Sequence, residues 1–231
     1  MFSNIQKLFY VFSLAALLAA CGSEDSADVN QDRIHTVYEV FYNQNDDVTH
    51  VIARFRFGGP LGTLLRLGTE SGASVSYDGD TLPYSDLWGA HHREYVGDIT
   101  GGTFIYTNTD GDVFTNLVPS GSSIGFPDAF AELSRSAAFE LIWEGTPLAP
   151  NDQVGVFVGS WVWGDDALFW EDGDGAASVV MGVNQLSNLP LGTAVVYMDR
   201  WNERNVAQGT SEGGKIRYKY RGSNAVITVV D

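Results

Sequence analysis

Cysteine is almost absent. Cys21 is the single one in 231 residues, so no intrachain disulfide can staple the fold. Basic residues are scarce too, with 13 Lys+Arg against 29 Asp+Glu and a formal charge of −16. A body this acidic is a poor partner for nucleic acid, and it does not lie flat on anionic lipid. Histidine stops early: His35, His50, His91 and His92 are all four, and all precede the two G-x-S-x-G matches, "GSSIG" (121–125) and "GTSEG" (209–213). A nucleophile elbow needs a strand before its serine, a helix after it and a histidine later in the chain, so that hydrolase order is excluded. H-E-x-x-H, C-x-x-C, Walker and dinucleotide signatures are missing as well. His91 and His92, as neighbours on a strand, would point to opposite faces and chelate poorly. A glycosidase needs only two carboxylates about 5–10 Å apart, a requirement that 29 acids leave open.

Long apolar runs are also lacking, except for Leu8–Ala20 in "MFSNIQKLFYVFSLAALLAA". That run follows Lys7, carries no charge and is too short to span a bilayer as a helix, which suits the core of a signal peptide. It ends in Leu18-Ala19-Ala20-Cys21, which resembles the lipobox of bacterial lipoproteins. The resemblance implies cleavage after residue 20, a lipidated Cys21 and a permanent hold on a membrane through the N-terminal lipid. Gly22, where that family's inner-membrane retention signal has Asp, implies an outer-membrane destination. Glu24, Asp25 and Asp28 resemble the acidic cluster that exports some lipoproteins to the cell surface, and the choice between periplasmic face and surface stays open. Loss of residues 1–20 removes Lys7 and no acid, so the charge moves to −17. The stretch 21–33, "CGSEDSADVNQDR", has little apolar content and reads as a lipidated Cys followed by a flexible acidic tether.

Helical periodicity is nearly missing from residue 34 onward; only "PDAFAELSRSAAF" (127–139) could hold a helical turn or two. The dominant period is two. Runs such as "HTVYEVFYN", "RFRF", "QVGVFVG", "ALFW", "KIRYKYR" and "AVITVV" are rich in Val, Ile, Tyr, Phe and Thr. Turn clusters such as Tyr77-Asp78-Gly79-Asp80 separate them. The chain therefore reads as all-β. Thirteen or so strands suit two tandem immunoglobulin-like β-sandwiches, residues 34–127 and 128–231, with one larger sandwich or barrel as the alternative.

Two stretches are candidate sites. "SWVWGDDALFWEDGDG" (160–175) offers Trp161, Trp163 and Trp170 as a stacking platform for a sugar or an apolar peptide, and Glu171, Asp172 and Asp174 as calcium ligands on a tight turn. If 167–170 is a strand, its two acidic turns lie at opposite ends and cannot share an ion. Phe157, Gly159, Trp161 and Trp163 share one face, and the bland reading makes that face core and the acidic turns ordinary. "KIRYKYR" (215–221) lines up Lys215, Arg217, Lys219 and Arg221 on one face. It is either an anion-facing strip or an edge or solvent face whose charges block strand aggregation, the latter being favoured. With no catalytic signature, the expected role is a non-enzymatic binding, adhesion or scaffold module with a protein or glycan partner. A calcium- or carbohydrate-binding module is the alternative, and a β-scaffold hydrolase the second.

Overall fold

A computed structural model describes residues 23–159 and 164–231. The first half runs through β1 (Glu24–Asp25), β2 (Ile34–Asn43), β3 (Val48–Phe57), β4 (Thr63–Arg66), β5 (Ser74–Tyr77), β6 (Asp80–Thr81), β7 (Tyr84–Ser85) and β8 (Ala90–Val96). It continues with β9 (Thr103–Thr107), β10 (Val113–Leu117), β11 (Glu132–Ser134) and β12 (Phe139–Ile142). The remainder is β13 (Asp152–Gly159), β14 (Asp166–Glu171), β15 (Ser178–Met181), a single-turn helix α1 (Val183–Leu186), β16 (Gly192–Asn205), β17 (Gly214–Arg221) and β18 (Ala225–Val230). The turn at Asp78-Gly79 has φ of 47° and 92°, the positive pair that a two-residue hairpin needs to match strand twist.

One large sheet organises the molecule, in the order β1-β4-β3-β2-β17-β16-β13-β14. β8 continues the pairing along β3 beyond the reach of β4, and β18 continues along β16 beyond β17. Period two sorts its side chains. On β2, Tyr38, Val40 and Tyr42 turn inward, while Val37, Glu39 and Phe41 lie on the opposite face. On β17, Ile216, Tyr218 and Tyr220 turn inward and the four cations turn out.

Two small sheets cover the inner face. The four-stranded sheet β10-β9-β5-β6 lies over the β2–β3 region, where Phe104 stacks on Tyr38 at 4.7 Å and Tyr106 meets Phe55 at 4.6 Å. The pair β12–β15 contributes Leu141, Val179 and Met181 to the buried cluster that also holds Val154, Val156 and Phe169. That cluster is continuous from Ile34 to Val229, so the layers enclose one core. The all-β sandwich expected from the sequence is the fold observed.

Its internal organisation differs from the sequence reading in three respects. First, β2 pairs in parallel with β17 over eight registered positions, from Thr36↔Gly214 to Asn43↔Arg221. Residues on both sides of 127/128 therefore share one sheet, the arrangement of a single larger sandwich, although each half supplies its own cover. Second, the stretch 127–139 is not helical: Glu132–Ser134 forms β11, in parallel with β18. Its apolar residues have a sheet edge to join, and tertiary pairing overrides a weak local preference. Third, residues 23–33 are laid onto the body and are not a free tether. β1 pairs with β4, Ser26 and Gln31 are buried, and Gln31 Nε2 donates to the carbonyls of Ser26 and Val29 at 2.6 and 2.9 Å. Backbone pairing and amide hydrogen bonds hold this polar segment, and hydropathy is blind to both. Residues 1–20 and Cys21 lie outside the described residues.

Candidate functional site

The outer face of the large sheet carries a groove of about 510 Å³ across β14, β13, β16 and β17. Its floor is made by Gly155. A Cβ there would stand 3.3 Å from the Trp201 indole and 3.6 Å from that of Trp170, so the missing side chain lets both rings lie close over β13. Trp170 and Trp201 meet edge-on at 4.5 Å and 67°, and Trp170 is 48 % exposed. Phe157 and Tyr197, 6.0 Å apart, extend the aromatic wall.

The opposite wall is charged and internally compensated. Arg221 binds Asp199 in bidentate fashion, Nε to Oδ1 at 2.6 Å and Nη2 to Oδ2 at 2.8 Å, and Lys219 reaches the same carboxylate at 2.7 Å. Burial alone would push the Asp199 carboxyl up. Arg221 and Lys219 outweigh that and hold it below the ordinary carboxylate value, while the same pairing raises Arg221. Arg217 pairs with Glu39 and sits 3.6 Å from Glu203, which also takes Lys215 at 3.7 Å. Lys219 and Arg221 lie over the Phe41 ring at 4.8 and 5.5 Å, and Arg221 also lies 5.4 Å from the centre of Tyr197.

The two candidate stretches thus meet on one face. Trp170, a ligand-binding candidate, belongs to it and is exposed, whereas the expectation of a core face was made for the row of Phe157, Gly159, Trp161 and Trp163. Phe157 turns outward as well, and the core side of β13 is Val154, Val156 and Val158. Local alternation defines two faces but not which one a second layer covers. Trp161 and Trp163 lie outside the described residues. The basic strip is on a central strand of the sheet, and facing carboxylates on β2 and β16 neutralise it, so it is neither an edge nor a bare anion site. Trp201 escaped the sequence reading because its partner residues come from β13 and β14. A Trp alternating with charged residues in "YMDRWNER" was the available signal.

The acidic turn after β14 is simpler. Glu171 is folded back on its own turn, where Oε1 accepts from the amides of Asp172 and Gly173 at 3.1 and 2.8 Å. Asp172 and Asp174 are exposed, and β14 separates them from Asp165 and Asp166 as strand geometry requires. Among the described residues, a different set brings three potential metal-ligand atoms within 4.8 Å of one another: His50, His92 and Glu94. His91 and His92 do face opposite sides of β8. His91 is buried between Leu82 and Leu67, whereas His92 is outward and meets His50 from the neighbouring strand, a pairing no spacing rule could reveal. Burial, the His50 ring and Arg54 lower the His92 pKa, with Glu94 pulling the other way.

Both G-x-S-x-G stretches have structural work. Gly121 lies flat on Tyr218, where a Cβ would stand 1.7 Å from the ring, and Gly125 bridges to Glu144 at 2.9 Å. In the second stretch, Ser211 Oγ donates to the Asp32 carbonyl and Thr210 Oγ1 to that of Ile34, each at 2.7 Å, pinning a turn. No protein-family model matches the chain, and no curated protein is significantly similar to it. The reading of the site therefore rests on its geometry.

Proposed function

We propose that this chain is an exported, lipid-anchored, non-enzymatic binding protein, and that the groove on the outer face of its large sheet takes a glycan. The observation carrying this reading is the Trp170–Trp201 pair over Gly155, facing a wall of paired charges. Indole faces pack against the C–H face of a pyranose and tolerate water at their rims. Asp166, Asp199 and the cations beside them supply acceptors and donors for hydroxyls, in the few-polar-groups-on-an-apolar-wall pattern of small-ligand sites. Because each groove cation has a carboxylate partner, the wall suits a neutral polyol better than a polyanion.

The anchor fits the same picture. With the lipid on Cys21, only Gly22 lies between it and Ser23 at the start of the docked segment, two residue steps or about 7 Å of chain. β1 and β14 are the end strands of the eight-strand path, seven spacings of about 4.8 Å apart. The groove is then presented at the edge away from the membrane attachment.

The test is titration of the mature chain with a panel of neutral and acidic oligosaccharides, followed by tryptophan fluorescence and calorimetry. Saturable binding to a neutral glycan is expected, reduced about tenfold or more in Trp170→Ala and in Trp201→Ala, the loss of a central aromatic anchor. No binding across the panel sinks the glycan reading. If a protein partner is captured instead and lost with Trp170→Ala, the same face serves adhesion or scaffolding. Cys21→Ala is expected to release the protein from the membrane fraction.

A further inference from the structure

The large sheet holds a second constellation on its outer face, beside the groove but outside it. His50 on β3 is directly opposite Glu94 on β8, and His92 is two residues along β8 on the same face. His50 Nδ1 lies 3.1 Å from His92 Nε2 and 3.5 Å from Glu94 Oε1. Two donors about 2.0–2.1 Å from one tetrahedral ion stand about 3.3–3.4 Å apart, so these separations bracket the edge of such a coordination sphere. A hydrogen bond between the two imidazoles and a His50–Glu94 ion pair each account for one of these distances, and a single cation would satisfy all three groups at once.

The surroundings are built as well. Trp88 stacks on His92 at 4.3 Å and tilts against His50 at 4.9 Å, and Phe41 also stacks on His50 at 5.8 Å. These rings fix both imidazole planes and limit water around them. The site is rigid because its ligands sit on two paired strands and not on a loop.

We infer that His50, His92 and Glu94 form a binding site for a first-row divalent cation such as Zn²⁺, Ni²⁺ or Cu²⁺. Two imidazoles and one carboxylate suit these borderline ions. Calcium prefers six to eight oxygens and is not expected here. Three protein ligands leave one tetrahedral position for water or a ligand atom.

Calorimetry of the untagged mature chain with Zn²⁺ is expected to give one saturable site that millimolar Ca²⁺ does not displace. His50→Ala and His92→Ala should each weaken it at least about tenfold, given that outer-sphere changes alone commonly cost that much. Glu94→Gln should weaken it less. His92→Gln, with its metal-free melting curve compared with the parent, separates loss of the ligand from loss of the fold. Cu²⁺ should quench a tryptophan signal that disappears in Trp88→Phe while binding persists, which places the ion beside His92. Absence of saturable Zn²⁺ binding, or binding unchanged in His92→Ala, overturns the inference. Trp170→Ala and Trp201→Ala should bind Zn²⁺ as the parent does, so the groove reading and this site fail or stand separately.

Discussion

His91 shows how one buried side chain can set a pH limit on stability. Its Nδ1 donates to the Leu82 carbonyl at 2.9 Å and its Nε2 accepts from the Leu67 amide at 3.2 Å, so this pairing needs the neutral ring with its proton on Nδ1. Protonation would place a second N–H against the Leu67 donor. Burial holds the His91 pKa below its ordinary value of 6.5 despite the Leu82 bond. A depressed histidine binds its proton more readily in the unfolded chain. Its contribution is therefore complete above about pH 6.5 and is lost as pH falls below that, by at most about 1.4 kcal/mol per pH unit. Denaturant melts between pH 7.5 and 5 should show this slope, and His91→Gln should flatten it. An unchanged slope in the variant would remove His91 as the cause.

At the scale of the element, most of the sheet was legible and its outward face was not. Alternation placed Ile216, Tyr218 and Tyr220 on one side of β17 and the cations on the other, as observed. It could not tell that the cations would meet Glu39, Asp199 and Glu203, because those pairings depend on which strands become neighbours. The same limit hid the groove, whose floor at Gly155 carries no signal until Trp170 and Trp201 flank it. Gly155→Val should drive both indoles off β13, since even a Cβ would meet Trp201 at 3.3 Å. The expected outcome is loss of ligand-induced tryptophan fluorescence change in a variant that still folds. Retention of the parent signal would mean that the rings do not need this floor.

For the whole molecule, the decisive contact is β2 against β17. It binds the N-terminal and C-terminal stretches into one sheet, and the buried cluster runs through both. Neither 34–127 nor 128–231 keeps its central strand neighbour when made alone: the first would expose the edge of β2 and the second that of β17. Unfolding of the full chain should be a single cooperative transition by near-UV and far-UV circular dichroism, and the two fragments made separately should be unfolded or aggregated. Two independent transitions, or a stable 34–127 fragment, would restore the two-sandwich partition. The docking of residues 23–33 belongs to this scale too, since β4 has to be in place before β1 has anything to pair with.

The sequence by itself determined the all-β class and, for the longer strands such as β2, β3, β13 and β17, their positions and two faces, because a period of two and turn residues with positive φ are local properties of the chain; β1, β8 and β11 lacked that local signal. The resemblance of Leu18-Ala19-Ala20-Cys21 to a lipobox, on which the proposed anchor rests, is likewise a matter of linear pattern alone. Tertiary structure decided which face is covered, which strands are neighbours and what meets across them. Trp170 with Trp201 and His50 with His92 come together only through pairing between residues far apart in the chain, and no local rule encodes a contact of that range.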